Sequence, residues 1–127
     1  MNRSASLVLV LGLMGCASTQ YIQKGTHNGV EVAYRWNHPA GKPSELLLLL
    51  KNTAAEDRQV NVVLDLYYQG RTIETLEADT CIKAGQTMNG RLNGIYFIPE
   101  RLSTAQIKDG SAEVEMTRTL IEAATCP

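Results

Sequence analysis

Residues 59–68 constrain the fold most, because apolar residues occupy every second position along them. The apolar series is Val60, Val62, Leu64, Leu66 and Tyr68. Side chains alternate between the two faces of a β-strand, so this pattern predicts a strand with one face in a protein core. Such a strand requires partner strands and a second layer that covers its apolar face. The chain is therefore expected to form a layered β protein.

Other segments also have strand patterns. Residues 30–37 alternate in the same way, whereas residues 45–51 contain five consecutive leucines and form either a central strand or a buried helix. The flanking loops leave room for only about two helical turns there, which favours the strand. Further strands are expected at residues 71–78 and 79–83. A final strand has Ala112, Val114, Met116 and Leu120 on its apolar face, with Arg118 indicating a sheet edge.

Turn signals separate these segments. Gln69-Gly70 fits a two-residue hairpin turn, since glycine readily adopts positive φ. Asn89-Gly90 and Asn93-Gly94 are too close together to form two hairpin turns, so one is expected to be a bulge or a wide loop. Ser103 followed by Gln106 predicts the start of a short helix. Six to eight short strands and at most one short helix predict an all-β, immunoglobulin-like β-sandwich.

The first sixteen residues differ in pattern from the rest of the chain. Arg3 gives a positive start, residues 5–13 are apolar, and residues 13–16 (Leu-Met-Gly-Cys) resemble the lipobox cleaved by signal peptidase II. The resemblance implies that Cys16 becomes the first mature residue and carries a lipid that anchors the protein in a membrane. Ala17 after the cysteine resembles the pattern sorted to the outer membrane. An ordinary secretory signal and an apolar N-terminal helix are the alternatives.

This interpretation divides the chain into three parts: a signal peptide (1–15), a polar lipidated tether (16–29) and a sandwich domain (30–127). Removing 15 of 127 residues leaves 112, enough for one small domain. The signal contains Arg3, one of 12 basic residues, so 11 basic residues remain against 13 acidic ones. Because the charges are nearly balanced and form no basic stripe, nucleic acid is not an expected partner.

Two cysteines remain after lipidation of Cys16. Cys81 and Cys126 form an even pair in a compartment that favours oxidation, so a disulfide between them is expected. Two free buried thiols are the alternative.

A set of residues in the middle of the chain has a recognisable order: Asn52-Thr53, Val60, Val62, Tyr67-Tyr68, Gly70, Ile73-Glu74, Ile82 and Ala84-Gly85. This set resembles the core of small envelope lipoproteins of the FxLYD-domain and YcfL-like kinds. Residues 66–68 (Leu-Tyr-Tyr) place tyrosine where the FxLYD signature has aspartate. The resemblance implies a small β-sandwich and transfers no functional residue.

The sequence contains no recognisable set of catalytic or metal-binding residues. His27 and His38 have no cysteine or carboxylate beside them at a ligand spacing, so neither a metal site nor a cofactor is expected. Glu113 and Glu115 fall on the outer face of one strand, where a solvated surface explains them. No serine lies in a nucleophile elbow, so the protein is not expected to be an enzyme.

Aromatic residues are the better candidates for function. Tyr67 is expected on an outer face, and in residues 95–98 (Ile-Tyr-Phe-Ile) both faces of the strand are apolar. Tyr67, Tyr96 and Phe97 are therefore candidate partner-binding residues. The alternative is a central strand covered on both sides by loops and the short helix. An exposed sheet edge offers a second binding mode, strand addition by a partner.

Together these features predict a lipid-anchored protein on the periplasmic face of the bacterial outer membrane. Its expected function is that of an accessory or assembly protein of an envelope complex, acting through contact with a protein partner. A small-molecule or glycan-binding envelope lipoprotein is the alternative, and an envelope enzyme is a third possibility.

Overall fold

The computed structural model describes residues 20–127, which form eight strands and two short helices. The strands are β1 (Ile22–His27), β2 (Val30–Asn37), β3 (Glu45–Asn52), β4 (Arg58–Tyr68), β5 (Arg71–Ile82), β6 (Thr87–Asn89), β7 (Tyr96–Phe97) and β8 (Glu113–Ala123). The helices are α1 (Gly90–Asn93) and α2 (Thr104–Lys108). Within residues 20–127, no helix has the length and apolar character needed to cross a membrane.

The strands form two antiparallel sheets. The larger sheet has the order β1-β2-β3-β6, with β7 also pairing with β3, and the smaller sheet has the order β5-β4-β8. One apolar core includes the buried side chains of Val30, Val32, Leu46, Leu48, Leu50, Val60, Val62, Leu64 and Leu66. This architecture confirms the predicted all-β sandwich. It has two short helices where at most one was expected.

The inner face of β4 is the one that its alternation predicts. Val60, Val62 and Leu66 have no exposed surface, and Leu64 is 1% exposed. Full burial of such a side chain stabilises the fold by roughly 1.5–3 kcal/mol. β4 lies at the centre of its sheet, between β5 and β8.

The leucine-rich strand β3 is buried along its whole inner face and, over Glu45 and Leu47, on its outer face as well. Leu46, Leu48 and Leu50 enter the core between the sheets, whereas Leu47 faces outward and is still only 5% exposed. Helix α1 covers it: a Cβ added to Gly90 would lie 2.9 Å from the Cβ of Leu47. Only glycine permits this close approach of the helix to the sheet.

The predicted tether is partly a strand. Residues 22–27 form β1, which pairs with β2 through a hairpin turn in which Asn28 and Gly29 both have positive φ (46° and 82°). The sequence did not indicate β1, because it is an edge strand whose mostly polar side chains are largely exposed. The folded domain therefore begins before residue 30. Cys16 and the rest of the signal lie outside the described residues.

The two strands expected over residues 71–83 are one continuous strand, β5, so that prediction was wrong. The Gln69-Gly70 hairpin turn is confirmed by positive φ values of 52° and 76°. From there β5 pairs with β4 along its whole length. Polar cross-strand pairs also hold the register: Gln59 Nε2 donates to Asp79 Oδ1 (2.6 Å), and Asn61 Nδ2 donates to Glu77 Oε1 (2.7 Å).

A β-bulge corrects the predicted face of the last strand. Val63 pairs with Arg118 and Leu64 with Met116, so Thr117 is an extra residue in β8. One extra residue reverses which side chains face inward. Ile121 is consequently buried, whereas Leu120, expected on the apolar face, is 45% exposed. The sheet edge indicated by Arg118 is confirmed, since β8 pairs with β4 alone in its sheet.

The Asn-Gly pairs flank a one-turn helix instead of a bulge or a wide loop. Asn89 precedes α1, and Gly94 ends it in the left-handed region with φ 72°. The second helix starts as its sequence predicts. The Ser103 side chain accepts from the Gln106 N–H, and the Gln106 side chain accepts from the Ser103 N–H, which is a capping box.

A disulfide joins Cys81 to Cys126, as predicted. It closes a loop over a sequence separation of 45 residues, a constraint worth about 4 kcal/mol in the chain-entropy model. Next to it, the Asp57 carboxylate accepts from the backbone N–H of Ala84 (3.0 Å) and of Cys126 (2.9 Å). Asp57 and the disulfide therefore hold Cys126 at one end of the sandwich.

These hydrogen bonds, chiefly the one from Cys126, lower the pKa of Asp57. A carboxyl group with a lowered pKa stabilises the fold above its unfolded-state pKa of about 3.9, and this stabilisation is lost as pH falls through the folded-state value. We expect Asp57→Asn to lower the melting temperature by a few degrees near neutral pH, and the difference from wild type to narrow below about pH 4. Thermal melts across pH 3–7 measure both effects, with Glu122→Gln as the control. A pH-independent difference would contradict the assignment.

Candidate binding surface

The structure separates the three aromatic residues that the sequence selected. Tyr96 pairs with Leu47 on the outer face of the larger sheet, whereas Phe97 pairs with Leu46 and packs against the core. Phe97 is therefore largely structural. Tyr67 is half-buried on the outer face of the smaller sheet, where its hydroxyl donates to Asp65 Oδ2 (3.4 Å). Because the two outer faces point in opposite directions, Tyr67 and Tyr96 do not form one surface.

A different set of exposed apolar residues lies close to Tyr96 in the sequence. Among the described residues, five large apolar side chains are exposed, and three of them fall between positions 92 and 98. These are Leu92 (83% exposed), Tyr96 (37%) and Ile98 (47%). The other two, Ile22 and Leu120, lie on the edge strands β1 and β8. We call Leu92, Tyr96 and Ile98 the apolar surface.

An ion pair fixes α1 beside this surface. The Arg91 guanidinium makes a two-pronged contact with Glu45, with Nε donating to Oε2 and Nη2 donating to Oε1 (2.6 Å). Glu45 is 1% exposed, and its hydrogen bond is the main cause of a raised Arg91 pKa. The guanidinium also lies 5.7 Å from the centre of the Tyr96 ring, within cation–π range. The surface is therefore attached to a rigid framework.

The sequence analysis missed Glu45 and Arg91. Glu45 is in phase with Leu47 and Leu49 on the outer side of β3, so a strand buried on both faces places a carboxylate in a covered position. A covered carboxylate requires a cationic partner. This alternation was the available signal for Glu45, but Arg91 lies 46 positions further along the chain, so no local pattern indicated it as the partner.

Arg91→Met tests this framework, because it leaves the Glu45 carboxylate buried without its cation. We expect the melting temperature to fall by several degrees. Adding Glu45→Met should recover part of the loss, since the unpaired carboxylate is then absent. Melts of the two single variants and the double variant measure the coupling, with exposed Arg118→Met as the control. Strictly additive losses would show that the pair does not hold α1.

The structure places His27 in an edge strand, where a tether was expected, and His38 in the loop after β2. His27 is in β1, where Nε2 lies 3.1 Å from the Lys24 carbonyl oxygen. His38 follows β2 and has a partner after all: Nδ1 lies 2.7 Å from Ser44 Oγ, which donates to Thr104 Oγ1 (2.8 Å). Ser44 is only 2% exposed, so this arrangement is a buried support and not an accessible nucleophile. Glu113 and Glu115 are exposed on β8.

His38 lines a groove of about 590 Å³ between the loop after β2 and residues 99–108. It lies at the end of the sandwich opposite the disulfide. In the part of the chain that the structure describes, no three histidine, cysteine or carboxylate side chains come together as metal ligands would.

Comparison with known proteins gives no relatives: no protein-family model, curated protein or solved structure matches the chain. The resemblance to FxLYD-domain and YcfL-like lipoproteins stays a prediction.

Proposed function

We propose that this protein is a lipid-anchored component of the bacterial envelope that binds a protein partner through the apolar surface and carries out no catalysis. The observation that carries this proposal is the exposure of Leu92, Tyr96 and Ile98 within seven consecutive positions around the β7 edge of the larger sheet. Exposed aromatic and large apolar side chains held on a fixed framework are typical of the central contacts of protein interfaces.

Two features support a periplasmic location: the disulfide and the cysteine at position 16. A disulfide between Cys81 and Cys126 suits the oxidising periplasm. Lipidation at Cys16, with Ala17 following it, would place the domain on the periplasmic face of the outer membrane. Tyr21 already contacts the larger sheet, since its ring lies 5.4 Å from the Arg35 guanidinium. Between Cys16 and Tyr21 the chain spans at most roughly 18 Å, which would keep the domain close to the membrane.

Side-chain contact suits this edge better than strand addition. The outermost segments of the larger sheet here are β6, with three residues, and β7, with two, and α1 separates them. Such short, interrupted edges are poor templates for a partner strand. The proposed partner therefore provides a complementary apolar pocket for Leu92, Tyr96 and Ile98.

Substitutions at the two most exposed positions test the partner contact. Leu92→Asp and Ile98→Asp should each weaken binding by at least about tenfold, the effect of an interface hot spot, without lowering the melting temperature. Leu120→Asp is the matched control, because Leu120 is equally apolar and 45% exposed on the other sheet.

Photo-crosslinkers at positions 92, 98 and 120 of the full-length protein in intact cells identify the partner. We expect positions 92 and 98 to crosslink to the same protein and position 120 not to. Affinity is then measured with that partner. Wild-type affinity in both aspartate variants, or equal crosslinking from all three positions, would reject the apolar surface as the binding site.

Cys16→Ala tests the anchor separately. We expect the variant to leave the membrane fraction and the wild type to stay in it, because acyl chains on Cys16 supply the proposed attachment. Mass spectrometry of the purified wild type should find the lipid at Cys16. An unmodified N-terminus at another residue would overturn the lipoprotein interpretation and leave the partner contact untouched.

A further inference from the structure

The groove beside His38 has the size and rigidity of a small-ligand site. Its volume of about 590 Å³ lies within the range of ligand pockets. Pro39 and Pro43 line it from the loop between β2 and β3, and Pro99 lines it from the segment after β7. Because proline fixes the backbone dihedral φ, these walls are stiffer than ordinary loops.

A buried hydroxyl group supports the polar wall of the groove. The buried Ser44 hydroxyl lies between His38 Nδ1 and Thr104 Oγ1, and both of those residues line the groove. This contact joins the loop after β2 to the start of α2 across 60 positions of sequence. It also occupies one imidazole nitrogen and leaves Nε2 without a hydrogen-bond partner among the described residues.

Basic groups outnumber acidic groups in the lining of the groove. The ionisable groups that line it around His38 are Lys42 from the same loop, Glu100 from the segment after β7 and Lys108 from α2. Neither lysine forms an ion pair with a carboxylate in the described part of the chain. Burial, and then the charge of Lys108, lower the pKa of His38. A ligand that brings negative charge would relieve this repulsion.

We propose that this groove binds a small ligand through an anionic oxygen group, a phosphate or a carboxylate, held by Lys42, Lys108 and the imidazole of His38. Thr104 provides a further hydrogen-bonding group at the wall. This site is distinct from the apolar surface, and its residues take no part in the proposed partner contact. Either proposal can therefore fail without the other.

The site predicts a coupling between ligand and proton. An anion stabilises the charged imidazole, so the pKa of His38 should rise when the ligand binds. By linkage, the affinity for the anion should increase as the pH falls through that pKa. His27 serves as an internal control, because its ring nitrogen contacts the Lys24 carbonyl oxygen in β1 and it does not line the groove.

The experiment is an NMR titration of the two histidine rings in the full-length mature protein in neutral detergent. Inorganic phosphate, acetate and chloride are compared at equal ionic strength. We expect phosphate or acetate to raise the His38 pKa by roughly half a unit or more and to leave His27 unchanged. Lys42→Gln and Lys108→Gln should each weaken binding by about fivefold, while Lys51→Gln and Lys83→Gln, at exposed positions outside the groove, should not.

A second arm distinguishes the source of the anion. Vesicles of phosphatidylglycerol and of phosphatidylcholine replace the soluble anions. A His38 shift with phosphatidylglycerol and not with inorganic phosphate or acetate identifies a lipid headgroup, whereas a shift with the soluble anions identifies a free ligand. If no anion moves His38 more than chloride does, or if the groove and control lysine variants bind equally, the site does not exist.

Discussion

The burial of β3 on both faces is the constraint on which the rest of the structure depends. One face of its leucine run requires the smaller sheet across the core, and the other requires a cover on the outside of the larger sheet. Helix α1 is that cover, and Gly90 and the Arg91–Glu45 pair allow it to lie against the strand. The edge of the larger sheet is interrupted for this reason, and the interruption exposes Leu92 and Tyr96.

Local sequence patterns correctly predicted the elements that are determined by residues close together in the sequence. The alternation along β4, the Gln69-Gly70 turn and the capping box at Ser103 each depend on residues within a few positions of one another. These patterns did not predict structure that is determined by pairing with a strand far away in the sequence. The edge strand β1 has no apolar alternation of its own, and the bulge at Thr117 follows from how β8 aligns with β4.

In the candidate sites too, the sequence indicated what depends on a single residue and missed the contacts between distant residues. Tyr96 was selected for its residue type and does lie on an exposed edge, but Phe97, its neighbour, faces the core because adjacent residues of a strand point to opposite sides. The contacts that organise the two sites join Glu45 to Arg91 and Ser44 to Thr104. The residues in these contacts are 46 and 60 positions apart and meet only when the strands pair, so no local motif indicated the contacts.

The position of the chain ends has a mechanical consequence. Residue 20 leads into β1 at the end of the sandwich where β2 finishes, whereas Cys126 is held at the opposite end beside Asp57. A pull between these points acts along the strands. The hydrogen bonds between antiparallel strands are perpendicular to that direction, so they share the load in shear and do not open one after another. Tension applied between residue 20 and Cys126 would thus meet the fold in the direction of its greatest resistance.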